Sequence, residues 1–377
     1  MNKTILVTGG AGYIGSHVCL ELLKHNYNVV VIDSLENSTA DSLKALEKTC
    51  NNRIPLFVGK LQDDVLMREV FVTHTFDGVI HMAGYKSVKK SIEDPESYYS
   101  NNLMSTINLL KWMDKYDCTN LIFSSSATVY GDANGVCTET SPTSTLNPYG
   151  ETKLIIERLM DYAVFSSDIK SDYYYNSVTQ LTNEVSKYRT LFTLSDIPIR
   201  SDWSFISLRY FNPIGAHSSH IIGEDPKGVP ENLVPYVMKV MSGELEKLTV
   251  FGSDYDTSDG TAIRDYIHVV DLANAHVLAL SYQLENCTNA GLHERFNIGT
   301  GKGYSVLEVI AAFDKIIENE ENIELKWEYG PRRSGDSAKI YADSTKARNV
   351  IGWEPKYDLN DMCYDAWMWW KKKTNTE

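Results

Sequence analysis

Tyr149-Gly150-Glu151-Thr152-Lys153 puts a phenol and an ammonium four residues apart. On a helix that spacing stacks the two on one face. A free phenol, with a pKa of about 10, is ionised in only about one molecule in a thousand at pH 7, too few for a base. A neighbouring ammonium favours the phenolate, and so does a positive ring bound beside it. Such a pair can take the proton of an alcohol during hydride transfer. The spacing is weak evidence alone, because Tyr85 and Lys89 share it; that second pair is read as coincidence. What sets the first pair apart is the run Ser124-Ser125-Ser126-Ala127-Thr128-Val129-Tyr130-Gly131, which closes an apolar strand. In an α/β fold the hydroxyls of a site gather at such a strand end. One of these serines is expected to orient the reacting hydroxyl; the competing reading is a strand end that caps a helix.

A second motif says where a hydride acceptor would lie. Ile5-Leu6-Val7-Thr8-Gly9-Gly10-Ala11-Gly12-Tyr13-Ile14-Gly15 runs from a strand into a helix, with glycines at 9, 12 and 15. Gly9 allows the tight turn, Gly12 lets backbone approach a pyrophosphate, and Gly15 lets helix and strand pack closely. The helix N-terminus then offers its free N–H groups to the phosphates. Asp33 ends the next strand, where its carboxylate accepts from an adenosine ribose and repels a 2′-phosphate. The expected cofactor is therefore NAD rather than NADP.

Both motifs need a frame. Ile5–Val7, Val29–Ile32, Gly78–His81, Leu121–Phe123 and Phe205–Leu208 are apolar, β-branched runs that read as strands buried on both faces. Helices are expected at 14–25 and 150–164. Their alternation predicts an α/β fold: a Rossmann-type doubly wound parallel sheet with a smaller α/β substrate-binding lobe. The first domain is placed at 1–212 and the second at 213–377, with Phe296–Gly299 as a strand that can return to the first sheet. Residues 166–203 are polar and Ser/Tyr-rich and read as an insertion, with a possible amphipathic helix through Val178, Leu181, Val185 and Tyr188. The insertion is expected on the side of the sheet remote from the chemistry.

The 377 residues carry 36 basic and 50 acidic side chains, a net charge of −14. That argues against nucleic acid or an anionic membrane as the main partner, while leaving room for a local basic pocket that holds phosphates. Six cysteines lie far apart with no CxxC and no zinc spacing, so reduced thiols and no metal are expected. No signal-like N-terminus and no run of 18 apolar residues occurs, which points to a soluble cytoplasmic protein.

The fingerprint, Ser126, Tyr149 and Lys153 together resemble the extended short-chain dehydrogenase/reductase family. Asn147-Pro148-Tyr149-Gly150, the run from Leu208 to His217 (LRYFNPIGAH) and the run from Arg264 to Val269 (RDYIHV) are similar to its UDP-glucose 4-epimerase branch. The resemblance spans nearly the whole chain except 166–203. It implies an NAD that is reduced and reoxidised within one turnover, a UDP-hexose substrate, a place in galactose metabolism, and a homodimer paired through two helices, one of them the Tyr149–Lys153 helix. The positions matching its NAD contacts are Gly12, Tyr13, Ile14, Asp33, Asn37, Ser38, Lys86, Asn101, Tyr149, Lys153 and Phe211, with Lys60 and Leu61 at the adenine end. Those matching its UDP-sugar contacts are Ser126, Tyr149, Asn212, Asn232, Leu233, Thr249, Val250, Phe251, Arg264, Arg333 and Asp336.

Three departures stand out. Where the family has an Asp that accepts from the adenine amino group, this chain has Lys60, which has no acceptor, and only Asp63 or Asp64 is near enough in sequence to substitute. Ser34 replaces the usual Asn after the ribose Asp. Ile340 occupies a position that sizes the sugar pocket, and its intermediate bulk leaves N-acetylhexosamines open. The nearest rival, a nucleotide-sugar 4,6-dehydratase, has an acidic residue just before Val-Tyr-Gly, where this chain has Ala127-Thr128. A non-catalytic nucleotide-sensing or scaffold protein would have no need of the Tyr149–Lys153 pair.

Overall fold

The computed structural model describes residues 2–164, 191–286, 291–318, 323–333 and 337–374. Strands β1 (Thr4–Thr8), β2 (Asn28–Asp33), β3 (Leu56–Val58), β4 (Gly78–His81) and β5 (Asn120–Ser126) come in quick succession. β6 (Gly135–Cys137) and β7 (Ser204–Tyr210) follow. The second half adds β8 (Asn212–Ile214), β9 (Leu248–Phe251), β10 (Ile263–His268), β11 (Leu292–Ile298), β12 (Gly303–Ser305), β13 (Trp327–Gly330) and β14 (Lys339–Ala342).

Seven of these form one parallel sheet in the order β11-β7-β5-β4-β1-β2-β3. β4 and β7 are buried along their whole length and β1 along all but its first residue, as strands covered on both faces must be. The order reverses direction between β1 and β4, which opens a crevice at their carboxyl ends, where ligands of this architecture bind. The helices Tyr13–Lys24 and Val269–Asn286 share one apolar layer; Pro95–Lys115 and Pro148–Val164 share the other. β10, β12, β14 and β6 form a second sheet, with β8 also paired to β10, and β9 pairs with β13. The two sheets exchange strands: β6 leaves the first half for the second sheet, and β11 returns to the first. No helix among the described residues is long and apolar enough to cross a membrane.

One expectation needs correction. The possible helix through Val178, Leu181, Val185 and Tyr188 lies outside the described residues, but 191–203 is no surface loop. Phe192, Ile197 and Trp203 are buried in the same apolar cluster as Met113 and Leu159. The Arg200 N–H donates to the Ala163 carbonyl at 3.1 Å, and its guanidinium binds Asp114, Asp117 and Asp202. Burying each such apolar side chain contributes about 1.5–3 kcal/mol, so this stretch is part of the body and the insertion is shorter than its composition suggests. Of the 17 residues of Pro148–Val164, 13 are buried within the single chain, and the other four are half-buried.

Candidate active site

The helix Pro148–Val164 starts where local chemistry dictates. Asn147 caps it, its Oδ1 accepting the Gly150 N–H at 2.9 Å, and Pro148 occupies the first turn, where a missing N–H costs nothing. The helix runs antiparallel to the strands, so its first turn lies at the carboxyl end of β5. There Lys153 Nζ donates to the Ser124 carbonyl at 2.6 Å. The ammonium sits 4.8 Å from the centre of the Phe123 ring and 5.8 Å from that of Tyr149. Ser126 Oγ accepts the Thr128 N–H at 3.2 Å, so it caps the short 3-10 turn Ala127–Tyr130 as the competing reading held. It also acts on the Tyr149 hydroxyl. The two roles coexist in one side chain. Tyr85 and Lys89 part ways: the Tyr85 hydroxyl donates to Glu36 at 3.2 Å, and exposed Lys89 pairs with Glu93 at 3.9 Å.

Electrostatically this site is cocked toward neutrality. Burial pushes the Tyr149 phenol up to about 12, and its hydrogen bond with Ser126 opposes the rise. Burial pushes Lys153 down to about 7, opposed by the nearby Glu157 carboxylate. The phenolate is therefore not preformed, and forms only as positive charge is brought to it.

All the expected cofactor and substrate positions except Asp336 line one continuous cleft of about 1750 Å³. Asp336 lies outside the described residues. Ordinary small-molecule pockets hold roughly 300–1,000 Å³, so this cleft has room for a dinucleotide and a nucleotide sugar together.

The cofactor end passes a fit test on its glycines. Gly9 has φ +73°, and a Cβ there would stand 2.9 Å from the Ala83 nitrogen; one at Gly15 would overlap the Gly9 carbonyl oxygen. The helix Tyr13–Lys24 carries no side-chain cap and no acidic residue in its first turn. Its free N–H groups therefore suit a pyrophosphate. Asp33 accepts from the Ala11 N–H at 3.0 Å and from the Leu35 N–H and Ser38 Oγ, each at 2.9 Å. A carboxylate has about four acceptor sites, which leaves one for a ribose hydroxyl, while its negative charge repels a 2′-phosphate. We expect cofactor released from the purified protein to be NAD(H) by chromatography; mainly NADP(H) would contradict the role given to Asp33.

At the adenine end the structure answers the Lys60 question differently from the sequence. Asp63 caps the helix Asp64–Thr73, Asp64 accepts from Trp112 Nε1 at 3.0 Å, and neither lines the cleft, so neither substitutes. Lys60 instead holds Glu36 at 2.6 Å, which brings a carboxylate to this end of the cleft. Tyr13 turns its hydroxyl to the Gly215 carbonyl at 2.7 Å. Asn101 accepts from Gln62.

At the substrate end, the Arg333 guanidinium lies 4.2 Å over the Phe251 ring and donates to the Glu231 carbonyl at 3.3 Å. Arg264 donates to the Ile263 and Ser337 carbonyls, both at 2.8 Å. Ile340 is buried with Val129, Leu154 and Phe211 in a small apolar cluster rather than lining the cleft. Its bulk therefore reaches a bound sugar only through those neighbours.

Sequence reasoning missed the segment 224–231, which reaches back from the second half of the chain. Glu224 meets Lys86 at 3.4 Å, Lys227 Nζ donates to the Leu35 and Glu36 carbonyls at 2.8 and 3.1 Å, and Glu231 accepts from Ser87. It also missed Glu157 and Arg209, although Glu157 continues the four-residue ladder of Tyr149 and Lys153.

Comparison with known proteins agrees with this geometry. A family model described as GDP-mannose 4,6 dehydratase matches residues 6–199 and 184–366. The UDP-glucose 4-epimerase of Bacillus subtilis (strain 168) is 44% identical over 372 residues, 98% of each chain. UDP-glucose 4-epimerase 2 of Arabidopsis thaliana is 44% identical over 98% of this chain and 95% of its own. Among solved structures, a UDP-glucose 4-epimerase from Bifidobacterium longum in complex with NAD+ and UDP superposes with a TM-score of 0.84 at 40% identity, covering 100% of both chains. With a nucleotide cradle, a tyrosine–lysine pair and full-length likeness of this degree, the chain belongs to the UDP-glucose 4-epimerases of the extended short-chain dehydrogenase/reductase family.

Proposed function

We propose that this chain interconverts UDP-glucose and UDP-galactose with NAD as its resident cofactor, and that Tyr149, Lys153 and Ser126 carry the chemistry. The observation behind the reading is the meeting of those three side chains in one cleft with the glycine cradle and with Arg264 and Arg333. NAD, when bound, accepts and returns the C4 hydride of the sugar and brings a positive ring beside the phenol. Tyr149 takes the proton of the 4-hydroxyl, Ser126 orients that hydroxyl, and Lys153 lends its charge to the phenolate. Arg264 and Arg333 suit a diphosphate, which a planar guanidinium grips by two hydrogen bonds at once. The volume of the cleft lets the 4-keto sugar turn over while its UDP end stays held, so that it presents its opposite face before Tyr149 gives the proton back.

The finer statements rest on the same reading. The widely spaced cysteines support a cytoplasmic enzyme, and the likeness to UDP-glucose 4-epimerases supports a place in galactose metabolism. A homodimer paired through two helices of the first domain, one of them Pro148–Val164, is implied by the resemblance. The dehydratase reading has no carboxylate at Ala127-Thr128 to remove a C5 proton. Incubating the protein with UDP-galactose separates the two: UDP-glucose should appear without added cofactor. A dehydrated keto sugar, or no turnover by folded protein, would overturn the proposal.

A further inference from the structure

Beneath Tyr149 and Lys153 the same helix face carries Glu157 and Asp161, one turn and two turns on. Both carboxylates are fully buried, and they are clamped by arginines from two strands. Arg209 of β7 forks onto Glu157 at 3.0 and 2.6 Å, while Arg295 of β11 bonds Glu157 at 3.2 Å and both oxygens of Asp161 at 2.6 and 2.7 Å. Ser125 of β5 donates to Glu157 at 2.6 Å, one residue from the carbonyl that holds Lys153. Two carboxylates and two guanidinium groups cancel overall, but not locally, since Glu157 is the member one helical turn from Lys153.

We propose that Glu157 is a positioning residue for this reaction: it keeps Lys153 in its ammonium form and fixes it against the end of β5. The proposal rests on the assignment of Tyr149 and Lys153 above. The other groups facing Lys153 cannot take that part. From β4, His81 is wholly buried between Thr8 and Thr106 and pushed down to about 3, so it is neutral throughout the working range. From β7, burial pushes the Tyr210 phenol up, and it stays neutral too. From β5 come only the Phe123 ring and the Ser124 carbonyl. On its own helix, Tyr149 is a neutral phenol until it acts. Arg209 and Arg295 are cations, so they oppose the ammonium rather than support it; from β11 His293, bonded to Asp161, is pushed down by burial, and the Tyr130 phenol, bonded to Arg209, is pushed up to about 12. The carboxylate of Glu157 acts on Lys153 in the required direction, against burial.

The test is the pH profile of turnover in cofactor-loaded protein. Activity needs the ammonium, so it falls as pH rises through the Lys153 pKa. In Glu157→Gln that alkaline limb should move down by about one pH unit, which lowers turnover about tenfold at a pH above the limb. Glu157→Asp, which keeps the charge, should restore the limb to within a few tenths of a unit. Arg295→Met removes one cation from Glu157 and should leave the limb in place or move it up. It remains informative if Glu157→Gln does not fold, because a downward shift there would overturn the proposal. So would a folded Glu157→Gln protein whose turnover falls equally at every pH, the mark of a purely structural role. A Tyr149→Phe variant with wild-type turnover would instead sink the underlying assignment, so the two failures are distinguishable.

Discussion

Tyr149→Phe should fold, retain its NAD and lose turnover by roughly 10²–10⁴-fold, the usual contribution of a positioned general base. The substitution removes one oxygen and keeps the ring packed beside Lys153. The hydroxyl is embedded with Ser126 at the cleft, so its loss leaves the alcohol proton without an acceptor at the point of hydride transfer. Coupled assay of UDP-glucose formation, alongside cofactor content by absorbance, checks both halves of the expectation. Tyr85→Phe is the control: it removes an exposed hydrogen bond to Glu36 and should stay within about twofold of wild type. A Tyr149→Phe enzyme with near wild-type turnover would move the base elsewhere in the cleft.

The second large effect is expected at the glycine cradle, and it differs between neighbouring positions. A Cβ at Gly15 would overlap the Gly9 carbonyl and crowd Gly10, both backbone, which cannot rotate aside. Gly15→Ala should therefore cost about 1–3 kcal/mol of stability, as overpacking does, and lower the melting temperature in a thermal scan. Gly12 is the helix cap, and the nearest atom to a Cβ there is the Gly9 carbonyl oxygen at 3.3 Å. Gly12→Ala should fold with close to wild-type stability yet bind NAD at least about tenfold more weakly, because the added methyl occupies the approach to the pyrophosphate. Thermal scans and NAD titration on both variants separate the two roles. Equal stability loss at both positions would show that Gly12 also serves packing.

The strands and the first helix were legible because their signals are local. An apolar β-branched run, a glycine turn and an acidic strand end all lie within about thirty residues of Met1. Tyr149, Lys153 and Ser126 were legible for the same reason, each announced by its own short run. What escaped was built from distant segments. Glu157 meets Arg209 and Arg295 only because β7 and β11 lie side by side at the edge of the sheet, an adjacency no window of sequence displays. Glu36 gained its place through Lys60, on the neighbouring strand's loop, so a substitution that looked like a loss brings in a carboxylate from outside the motif. The stretch 191–203 was misjudged because its polar average hides Phe192, Ile197 and Trp203, whose burial depends on helices laid down earlier in the chain.

The exchange of strands between the two sheets also bears on how the chain is made. When β7 emerges from the ribosome it can pair with β5, but its other edge stays open until β11 arrives roughly eighty residues later. At a synthesis rate of about 5–20 residues per second that edge waits about 4–16 s. It is a fully buried, largely apolar strand in the finished molecule, and an unpaired edge of that kind invites pairing with another nascent chain. β6 waits longer still, for β14 near the end of the sequence. Neither half can close by itself as it is synthesised, so the interval before β11 and β14 appear is when a nascent-chain chaperone would matter most.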